Sequence, residues 1–323
     1  MNGFSETVAD ERTERGDRPF RSGYIAIAGR PNTGKSTFLN RVLGRKAAIV
    51  TPKAQTTRNR ILGVLDQDGV QMVFLDTPGI HDPGRMLLNQ SMVQAAMDSC
   101  READLTLYFV DAATGVTAED RQILARPPLS GSVVILVFNK MDRTPNPRLM
   151  QRLAEVGDWA GTVFVEAVPI SALTGKNVER LLGLLPGLLP EGPRYFPAGQ
   201  WTDQRDSFLI AEVIREKLFM QLQQELPYSL AVRVTGWAQR PPPSPVWDLD
   251  AVILVARESQ KGIVIGHKGS VLKRVGALAR KELEVMFQGS IFMRLRVQVK
   301  KDWNGDPRML SDLGYTESAG DAD

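Results

Sequence analysis

The chain has 323 residues, of which 43% are hydrophobic and 24% are charged, and its single cysteine, Cys100, excludes an internal disulfide framework. The first 22 residues are polar and charged, which excludes a secretory signal peptide, and no later run approaches the roughly 18 to 20 apolar residues of a membrane span. We therefore expect a cytoplasmic protein of two domains, preceded by a disordered polar head over residues 1–22.

The net charge of +3 is unevenly distributed along the chain. Residues 257–301 carry eleven Lys and Arg against three Glu, an excess of eight positive charges, so the rest of the chain is negative. A basic segment of this kind suggests a polyanionic partner, although a solvated charged surface would give the same composition.

Apolar runs of strand type alternate with helical patterns over residues 23–189. The predicted strands are YIAIAG, VQMVFLDT, DLTLYFVDA, SVVILVFNK and TVFVEAVPIS. The predicted helices are STFLNRVLG and residues 85–101, 117–125 and 176–185. This alternation predicts an α/β domain with a mostly parallel sheet and helices on both faces. Proline and glycine are concentrated over residues 185–199, and we place the linker at residues 190–204.

A different order of elements follows over residues 205–315. The predicted helices are residues 207–225, 260–265 and 270–287. The predicted strands are SLAVRVTGW, DAVILVARES and IFMRLRVQVK. A loop with the proline-rich run 241–245 separates the first two strands, and the sequence GHKG joins the last two helices. The order helix, strand, strand, helix, helix, strand predicts a compact α+β domain, followed by a tail over residues 316–323.

The sequence GRPNTGKS, residues 29–36, fits the phosphate-binding pattern G-x-x-x-x-G-K-[ST] and lies between a predicted strand and a predicted helix. Backbone N–H groups at the start of that helix would converge on phosphates. Lys35 would contact the β- and γ-phosphates, and the Ser36 hydroxyl would bind Mg²⁺. The predicted phosphate-binding residues are Gly29, Arg30, Pro31, Asn32, Thr33, Gly34, Lys35, Ser36, Thr37 and Gly79.

The sequence DTPG, residues 76–79, ends the next buried strand. Asp76 can hold Mg²⁺ through a water molecule, and the Gly79 N–H can sense a γ-phosphate. Between Lys35 and Asp76 the sequence PKAQTTRNR offers Thr56 and Thr57 for the Mg²⁺ shell, and we choose Thr57. The predicted switch and catalytic region comprises Thr56, Thr57, Asp76, Thr77, Pro78, Gly79 and Ile80.

The sequence NKMD, residues 139–142, also ends a strand. The Asp142 carboxylate can accept hydrogen bonds from guanine N1–H and N2–H₂, a pair of donors that adenine lacks, so a buried acceptor there would penalise adenine. The sequence SAL, residues 171–173, ends the next strand and offers a backbone N–H to guanine O6, although on its own it would be an ordinary loop. The predicted guanine-binding residues are Asn139, Lys140, Met141, Asp142, Ser171, Ala172 and Leu173.

In this order, each at the end of a strand, these segments resemble the G1, G3, G4 and G5 motifs of the translation-factor-like GTPases. GRPNTGKS together with TTR and DTPGI resembles the Era, MnmE and Der branch, in which a hydrophobic residue, here Ile80, replaces the glutamine that orients the attacking water in Ras-like proteins. The resemblance implies slow intrinsic GTP hydrolysis. It also implies that Asn32 helps to bind K⁺ near the phosphates, where the cation would offset transition-state charge. The alternative for Asn32 is a hydrogen bond that only stabilises the loop.

The GHKG loop, residues 266–269, joins two helices in the basic segment and resembles the G-x-x-G loop of a KH module, which clamps single-stranded RNA. As a mononucleotide loop it lacks the preceding strand and the GK[ST] ending. Related proteins usually have Lys or Asn where His267 lies, and a histidine at this position would allow pH to tune RNA affinity, a point that the sequence leaves open. The predicted RNA-binding residues are Ile263, Val264, Ile265, Gly266, His267, Lys268, Gly269, Lys273 and Arg274.

Over residues 22–315 the segments FLIAEVIREKL, ELPYSLAV and VQVKKDWNGDPRMLSDLGY resemble signatures of the Era family of bacterial ribosome-assembly GTPases. The resemblance implies a type II KH domain that binds the 3′ end of small-subunit (16S) ribosomal RNA and assists 30S assembly, with GTP favouring RNA binding. It also implies a monomer, with a peripheral association at the inner face of the cell membrane that no lipidation motif supports. The alternative is a structural RNA-binding factor in which GTP only stabilises the fold.

Overall fold

The computed structural model describes residues 19–53, 55–154, 164–223, 226–241 and 246–315. Residues 1–18 of the predicted head, residues 242–245 of the proline-rich loop and the predicted tail lie outside the described residues. Within the described ranges, no helix combines the length and the apolar character needed to cross a membrane.

A six-stranded sheet forms the centre of the N-terminal domain. Its strands are β1 (Arg21–Gly29), β2 (Ile61–Gln67), β3 (Val70–Asp76), β4 (Leu105–Asp111), β5 (Val134–Asn139) and β6 (Phe164–Pro169). Their order is β2-β3-β1-β4-β5-β6, and all neighbours are parallel except β2 and β3. Strands β3 and β5 are buried along their whole length, because a sheet of continuous apolar runs must be covered on both faces.

Helices of the described residues cover the two faces of this sheet. They are α1 (Lys35–Leu43), α2 (Leu87–Glu102), α3 (Ala118–Leu124), α4 (Asn146–Ala154) and α5 (Val178–Leu184). Helices α1 and α5 bury Phe38 and Leu181 on one face, whereas α2 and α3 bury Cys100 and Ile123 on the other. The predicted α/β architecture is confirmed.

Two elements of this domain, β2 and α4, were not predicted. Strand β2 forms a hairpin with β3, and Gln67 pairs with Val70 across a turn in which Gly69 has a φ of +79°. The Asp68–Gly69 dipeptide is a typical hairpin signal, so the sequence did contain the information. Strand β1 begins at Arg21, inside the predicted head, and the buried Ser22 donates a hydrogen bond to the Pro193 carbonyl at 2.7 Å. The start of the domain therefore lies earlier than expected.

The C-terminal domain contains α6 (Asp206–Gln221), β7 (Leu230–Gln239), β8 (Val246–Val255), α7 (Glu258–Ile265), α8 (Ser270–Met286), β9 (Ser290–Val299) and α9 (Pro307–Asp312). Strands β7 and β8 are antiparallel, and β8 and β9 are parallel, in the sheet order β7-β8-β9. Helices α6, α7 and α8 cover one face of this sheet with a common apolar core. The predicted α+β order is confirmed, and α9 is an addition to it.

The two domains share an apolar contact. Leu88 and Met92 of α2 pack with Ala231 and Leu254 on the second face of the smaller sheet, the face without helices α6 to α8. The buried Trp303, between β9 and α9, belongs to the same cluster. In the part of the chain that the structure describes, the N-terminal domain therefore covers one end of that second face.

Residues 190–204, predicted as a linker, lie along the edge of the larger sheet. The Gln71 side chain accepts hydrogen bonds from the backbone N–H groups of Tyr195 and Phe196, both at 2.9 Å. Thr202 donates to the Leu62 carbonyl at 2.7 Å. The Thr202 bond, together with the bond that the Val64 N–H donates to the Trp201 carbonyl at 2.8 Å, engages backbone groups of the edge strand β2, which would otherwise be open to pairing with another strand. The division of the chain at residues 190–204 stays a prediction.

Candidate GTP and RNA sites

A cleft of about 470 Å³ lies at the carboxyl edge of the larger sheet. Strands β1, β3 and β5 all end there, so the loops that follow them meet although they are distant in sequence. This is the usual position of a ligand site in an open α/β sheet. The cleft is lined by Lys35, Ser36, Thr57, Gly79, Asn139 and Asp142, together with residues that include Pro31, Asn32, Gly34, Thr37, Thr56, Thr77, Lys140, Ala172 and Leu173.

The first loop of the cleft, residues 29–36, requires glycine at two positions. Gly29 and Gly34 have φ values of +133° and +93°. A Cβ at Gly29 would lie 2.4 Å from the Phe109 carbonyl oxygen, and one at Gly34 would lie 2.1 Å from Asn139 Nδ2. Only glycine can satisfy both the backbone conformation and the close approach. The loop is thereby wrapped around the start of α1, where unpaired N–H groups and the helix dipole favour anions.

Lys35 is folded back onto its own loop. Its ammonium group donates to the carbonyl oxygens of Gly29 at 3.0 Å and Arg30 at 2.9 Å. Burial lowers the pKa of Lys35 to about 8, and the nearby Asp76 carboxylate opposes this shift. The side chain therefore stays mainly protonated at neutral pH and can transfer its hydrogen bonds to phosphate oxygens.

Three oxygen-bearing side chains meet beside Lys35. Ser36 donates to Asp76 Oδ2 at 2.6 Å, and the Ser36 and Thr57 hydroxyls are 2.8 Å apart. The second carboxylate oxygen of Asp76 is buried without a hydrogen-bond partner among the described residues. Burial raises the pKa of Asp76 to about 6, with the Ser36 hydrogen bond acting in the opposite sense. A buried oxygen without a partner, next to two hydroxyls, is chemically suited to a hydrated Mg²⁺.

The structure distinguishes Thr56 from Thr57, the two threonines that the sequence suggests for the Mg²⁺ shell. Thr57 faces Ser36, whereas the Thr56 hydroxyl donates to the Lys53 carbonyl at 2.7 Å and lies 2.6 Å from the Thr51 hydroxyl. The Thr56 side chain is therefore engaged within its own loop. This arrangement supports the choice of Thr57, whose role stays a prediction.

The segment after β3 closes over the phosphate loop. A Cβ at Gly79 would lie 2.6 Å from the Pro31 nitrogen, and the Ile80 N–H donates to the Gly29 carbonyl at 3.1 Å. The Ile80 side chain is fully buried in the core beneath α2 and α3. The buried Thr77 donates to the Ile27 carbonyl at 2.9 Å, and Pro78 beside it is also buried. Ile80 thus lies in the switch region without directing a side chain into the cleft.

The end of the cleft that holds the predicted guanine-binding residues, called the guanine end below, is built around Asn139. Its side chain donates to the Thr33 carbonyl at 2.8 Å and accepts from the Ala172 N–H at 2.9 Å, so it ties three loops together. The Ser171 hydroxyl donates to Asp142 Oδ1 at 2.6 Å. Asp142 lines the cleft and is exposed there, so the burial that the predicted selection against adenine requires would have to come from the bound base. Met141, by contrast, packs its side chain against the core, which leaves its backbone for any contact with the base.

Asp111 and Arg143 were missed by the sequence analysis. Asp111 ends β4 and pairs with Lys140 at 2.8 Å. This ion pair orients the lysine stem at the guanine end of the cleft. Arg143 lines the cleft directly. The signal for Asp111 was its position at the carboxyl end of a parallel strand, the edge that gathers ligand contacts.

The GHKG loop lies in the smaller domain, between α7 and α8. Gly266 and Gly269 have φ values of +73° and +78°, and Lys268 between them has a φ of +49°. A Cβ at Gly266 would lie 2.5 Å from Val271 Cγ2, whereas Gly269 has only the Lys273 side chain within 4 Å. Crowding therefore adds to the backbone requirement at Gly266 alone.

The predicted RNA-binding residues divide by exposure. His267, Lys268, Lys273 and Arg274 are exposed, as is Ile263 on α7, and Ile265 is half-buried. Val264 has no exposed surface and packs in the core with α6 and α8. The expectation that Val264 contacts RNA is wrong, because helical periodicity turns its side chain inward between two outward neighbours.

A groove that the sequence analysis did not predict continues from the GHKG loop. It has a volume of about 380 Å³ and runs between α8 and β9, with Gly276 and Ala277 on the helix, Met293 and Leu295 on the strand, and Arg280 at its margin. Small residues on the helix leave room, apolar side chains on the strand offer a surface for bases, and the arginine supplies positive charge. The alternation of apolar and polar side chains along β9 was visible in the sequence. The sequence did not show which element packs against the apolar side of the strand.

Two family models match the chain. One, described as a 50S ribosome-binding GTPase, matches residues 24–140, and the other, described as a KH domain, matches residues 225–304. Together with the phosphate loop and the GHKG loop, they define a P-loop GTPase joined to a C-terminal KH domain.

Relatives that match over nearly the whole chain define the family more closely. GTPase Era of Geobacter metallireducens is 46% identical over 300 residues, covering 93% of this chain and 99% of the relative. GTPase Era of Syntrophus aciditrophicus is 45% identical over 298 residues, covering 92% and 96%. The chain belongs to the Era family of GTPases.

Solved structures agree with this assignment. A variant of Aquifex aeolicus Era bound to GDP.AlF4− matches with a TM-score of 0.88 and 39% identity, covering 92% of this chain and all of that one. An Era structure in complex with MgGDPNP and nucleotides 1506–1542 of 16S ribosomal RNA matches with the same TM-score and identity, covering 92% and 99%. The expected GTPase activity and KH fold are thereby confirmed.

Proposed function

We propose that the protein is a GTP-dependent switch that binds the 3′ end of small-subunit ribosomal RNA through its KH domain and assists assembly of the 30S subunit. The observation that carries this proposal is the presence of two separate cavities in one chain, the cleft around Lys35 and the groove beside GHKG. The related structure that contains both MgGDPNP and 16S ribosomal RNA supports it.

In the GTP site, the N–H groups at the start of α1 bind the phosphates and Lys35 contacts their terminal oxygens. Ser36 and Thr57 would ligate Mg²⁺, and Asp76 would hold it through water. The bound metal would supply charge neutralisation for the phosphates. Asp142 selects guanine, because its carboxylate accepts the two donors on that edge of the base.

A K⁺ ion at Asn32 is a finer part of the proposal. Asn32 has a φ of +61° and lines the cleft between Pro31 and Gly34. A monovalent cation there would offset the charge that develops on the phosphates, a role that the buried Ile80 cannot take. Equal GTP hydrolysis rates in KCl and NaCl would remove this role.

Arg58 directly follows Thr57 and contacts the KH domain, and this contact supports a switch. Arg58 donates to the carbonyl oxygens of Leu230 at 2.7 Å, Tyr228 at 3.0 Å and Pro227 at 3.1 Å, all in the KH domain. Arg58 is 2% exposed, and it directly follows the threonine of the Mg²⁺ cluster. A movement of Thr57 would therefore displace a buried charge at the domain contact.

Helix α6 approaches the same segment from its other side. Arg215 donates to the Thr56 carbonyl, and Glu216 accepts from the Val50 N–H at 3.0 Å and pairs with Lys46 at 2.6 Å. The Glu216 carboxylate is buried, so separating it from Lys46 would leave a charge that water cannot readily solvate. The contacts give the nucleotide site a direct physical connection to the RNA-binding domain.

The test is to measure affinity for a 16S 3′-end oligonucleotide with a GTP analogue bound and with GDP bound. A tighter complex with the analogue supports the switch. Equal affinities would favour the structural RNA-binding factor, because a ligand that binds two states equally cannot shift their populations.

A monomeric state and a peripheral association with the inner membrane are also part of the proposal, and family resemblance alone supports them. Sedimentation of the purified chain tests the first. Co-sedimentation with anionic phospholipid vesicles tests the second, and no enrichment with vesicles would remove it.

A further inference from the structure

The open part of the second face of the KH sheet carries a cluster of arginines. Strand alternation directs Phe292, Arg294 and Arg296 of β9 to this face, opposite to Met293 and Leu295, which line the RNA groove. Arg240 and the exposed Arg233 come to the same face from β7 and its end. We call Arg233, Arg240, Phe292, Arg294 and Arg296 the arginine face.

An exposed aromatic ring lies at the centre of the arginine face. Phe292 is 49% exposed, and the guanidinium carbons of Arg240 and Arg294 lie 5.2 and 5.8 Å from its ring centroid. Exposing a phenylalanine ring to water does not stabilise the fold. An aromatic ring flanked by guanidinium groups, however, is a surface on which RNA bases stack.

Two aspartates orient these arginines without neutralising them. Asp248 pairs with Arg240 at 2.7 Å, and Asp250 pairs with Arg294 at 2.5 Å and lies 3.9 Å from Arg296. Four arginines against two aspartates leave an excess of two positive charges. A polyanion is therefore the complementary occupant.

The arginine face and the groove share one strand. Strand β9 lies at the edge of the sheet order β7-β8-β9, and its alternate side chains form the two surfaces. An RNA strand held in the groove can continue around this edge without crossing the domain. At the other end, Ala231 and Leu254 are covered by α2, so the open surface is limited to the end that carries Phe292.

We propose that the arginine face is a second RNA-contact surface, which binds the sugar–phosphate backbone of the ribosomal RNA that flanks the segment held in the groove. This inference rests on the proposed RNA-binding function. The inference assigns RNA contacts outside the GHKG loop and its groove. It can therefore fail while the proposed RNA-binding function holds.

The experiment uses the full chain with Arg233→Glu and Arg296→Glu combined. The matched control is Arg126→Glu with Arg148→Glu, which changes the net charge equally at exposed positions of the GTPase domain. Affinity is measured at several salt concentrations for a short oligonucleotide that fills only the groove and for a longer 16S 3′-end fragment that includes flanking RNA. Retained GTP affinity and thermal unfolding midpoint verify that each variant folds.

We expect the arginine-face variant to bind the longer fragment about tenfold more weakly than the control. The slope of log affinity against log salt should fall by about one for each phosphate that the variant no longer binds. The short oligonucleotide should bind both variants alike. If the arginine-face variant and the control bind the longer fragment with equal affinity, the proposal is overturned. That conclusion holds even if the arginine-face variant binds an acidic protein more weakly than the control does. If the unmodified protein binds neither RNA, the proposed function itself fails.

Discussion

The two glycine-rich loops of the chain, residues 29–36 and 266–269, both use left-handed backbone conformations but differ in their surroundings. In the first loop, the positions of Gly29 and Gly34 are crowded by backbone and side chains, and Lys35 is buried. In the second, a Cβ at Gly269 would meet no atom closer than Lys273 Cε at 3.9 Å, and His267 and Lys268 are exposed. An enclosed loop can surround a mononucleotide, whereas an open loop can only support one side of a longer chain.

The largest expected effect follows from replacing the buried lysine of the enclosed loop. Lys35→Ala removes the ammonium group that would contact the terminal phosphates, and we expect GTP affinity to fall about 100-fold, as for other buried charged contacts. Binding is measured with a fluorescent GTP analogue. Lys268→Ala in the open loop is the matched control and should leave GTP affinity unchanged; a similar loss in both variants would contradict the distinction between the loops.

The converse change tests the open loop. Gly266→Asp with Gly269→Asp places two carboxylates where RNA phosphates would approach, so we expect affinity for the 16S 3′-end oligonucleotide to fall at least about tenfold. GTP affinity should stay within error of the original value. Because Gly266 is crowded by Val271, Gly269→Asp alone should show a smaller loss in the same direction, and a loss of GTP binding in either variant would refute the separation of the sites.

A change at the guanine end of the cleft tests how the enclosed site selects its ligand. Asp142→Asn removes an acceptor that the two guanine donors would use, and we expect GTP affinity to fall about tenfold or more. The amide of the new side chain can donate to the carbonyl oxygen that xanthine has in place of the guanine amino group. Competition between GTP and XTP should therefore shift towards XTP, and an unchanged preference would exclude Asp142 from base recognition.

The smallest expected effect distinguishes two glycines within the open loop. Gly269→Ala introduces a side chain in the left-handed helical region, which costs about 1 kcal/mol. Gly266→Ala introduces one at a φ of +73° and a ψ of 171°, a backbone region essentially restricted to glycine, so its backbone cost is larger. Gly266→Ala must also displace Val271, so the free energy of unfolding should fall further in this variant. Chemical denaturation measures the free energy of unfolding of both variants. An equal loss in the two would show that the loop adjusts freely around Gly266.

Much of the site could be predicted because its motifs lie at the ends of parallel strands. Ser36 and Asp76 belong to recognisable motifs, and the rule that such strand ends gather at one edge places them together. Strand β2 was missed although Asp68–Gly69 marks its hairpin, and Val264 was wrongly placed at the RNA surface because a short apolar helix does not reveal which side is buried.

The class of each domain, the phosphate-loop motif and the predicted guanine-binding motifs could be read from the sequence alone, because they depend on residue types at fixed local spacing. It took the folded chain to show that Thr57 rather than Thr56 faces Ser36, and that Arg58 donates to three carbonyl oxygens of the other domain. The fold also places the groove beside GHKG and the arginine face on opposite sides of one strand. Such contacts join residues far apart in the chain, and their geometry depends on how the two domains pack.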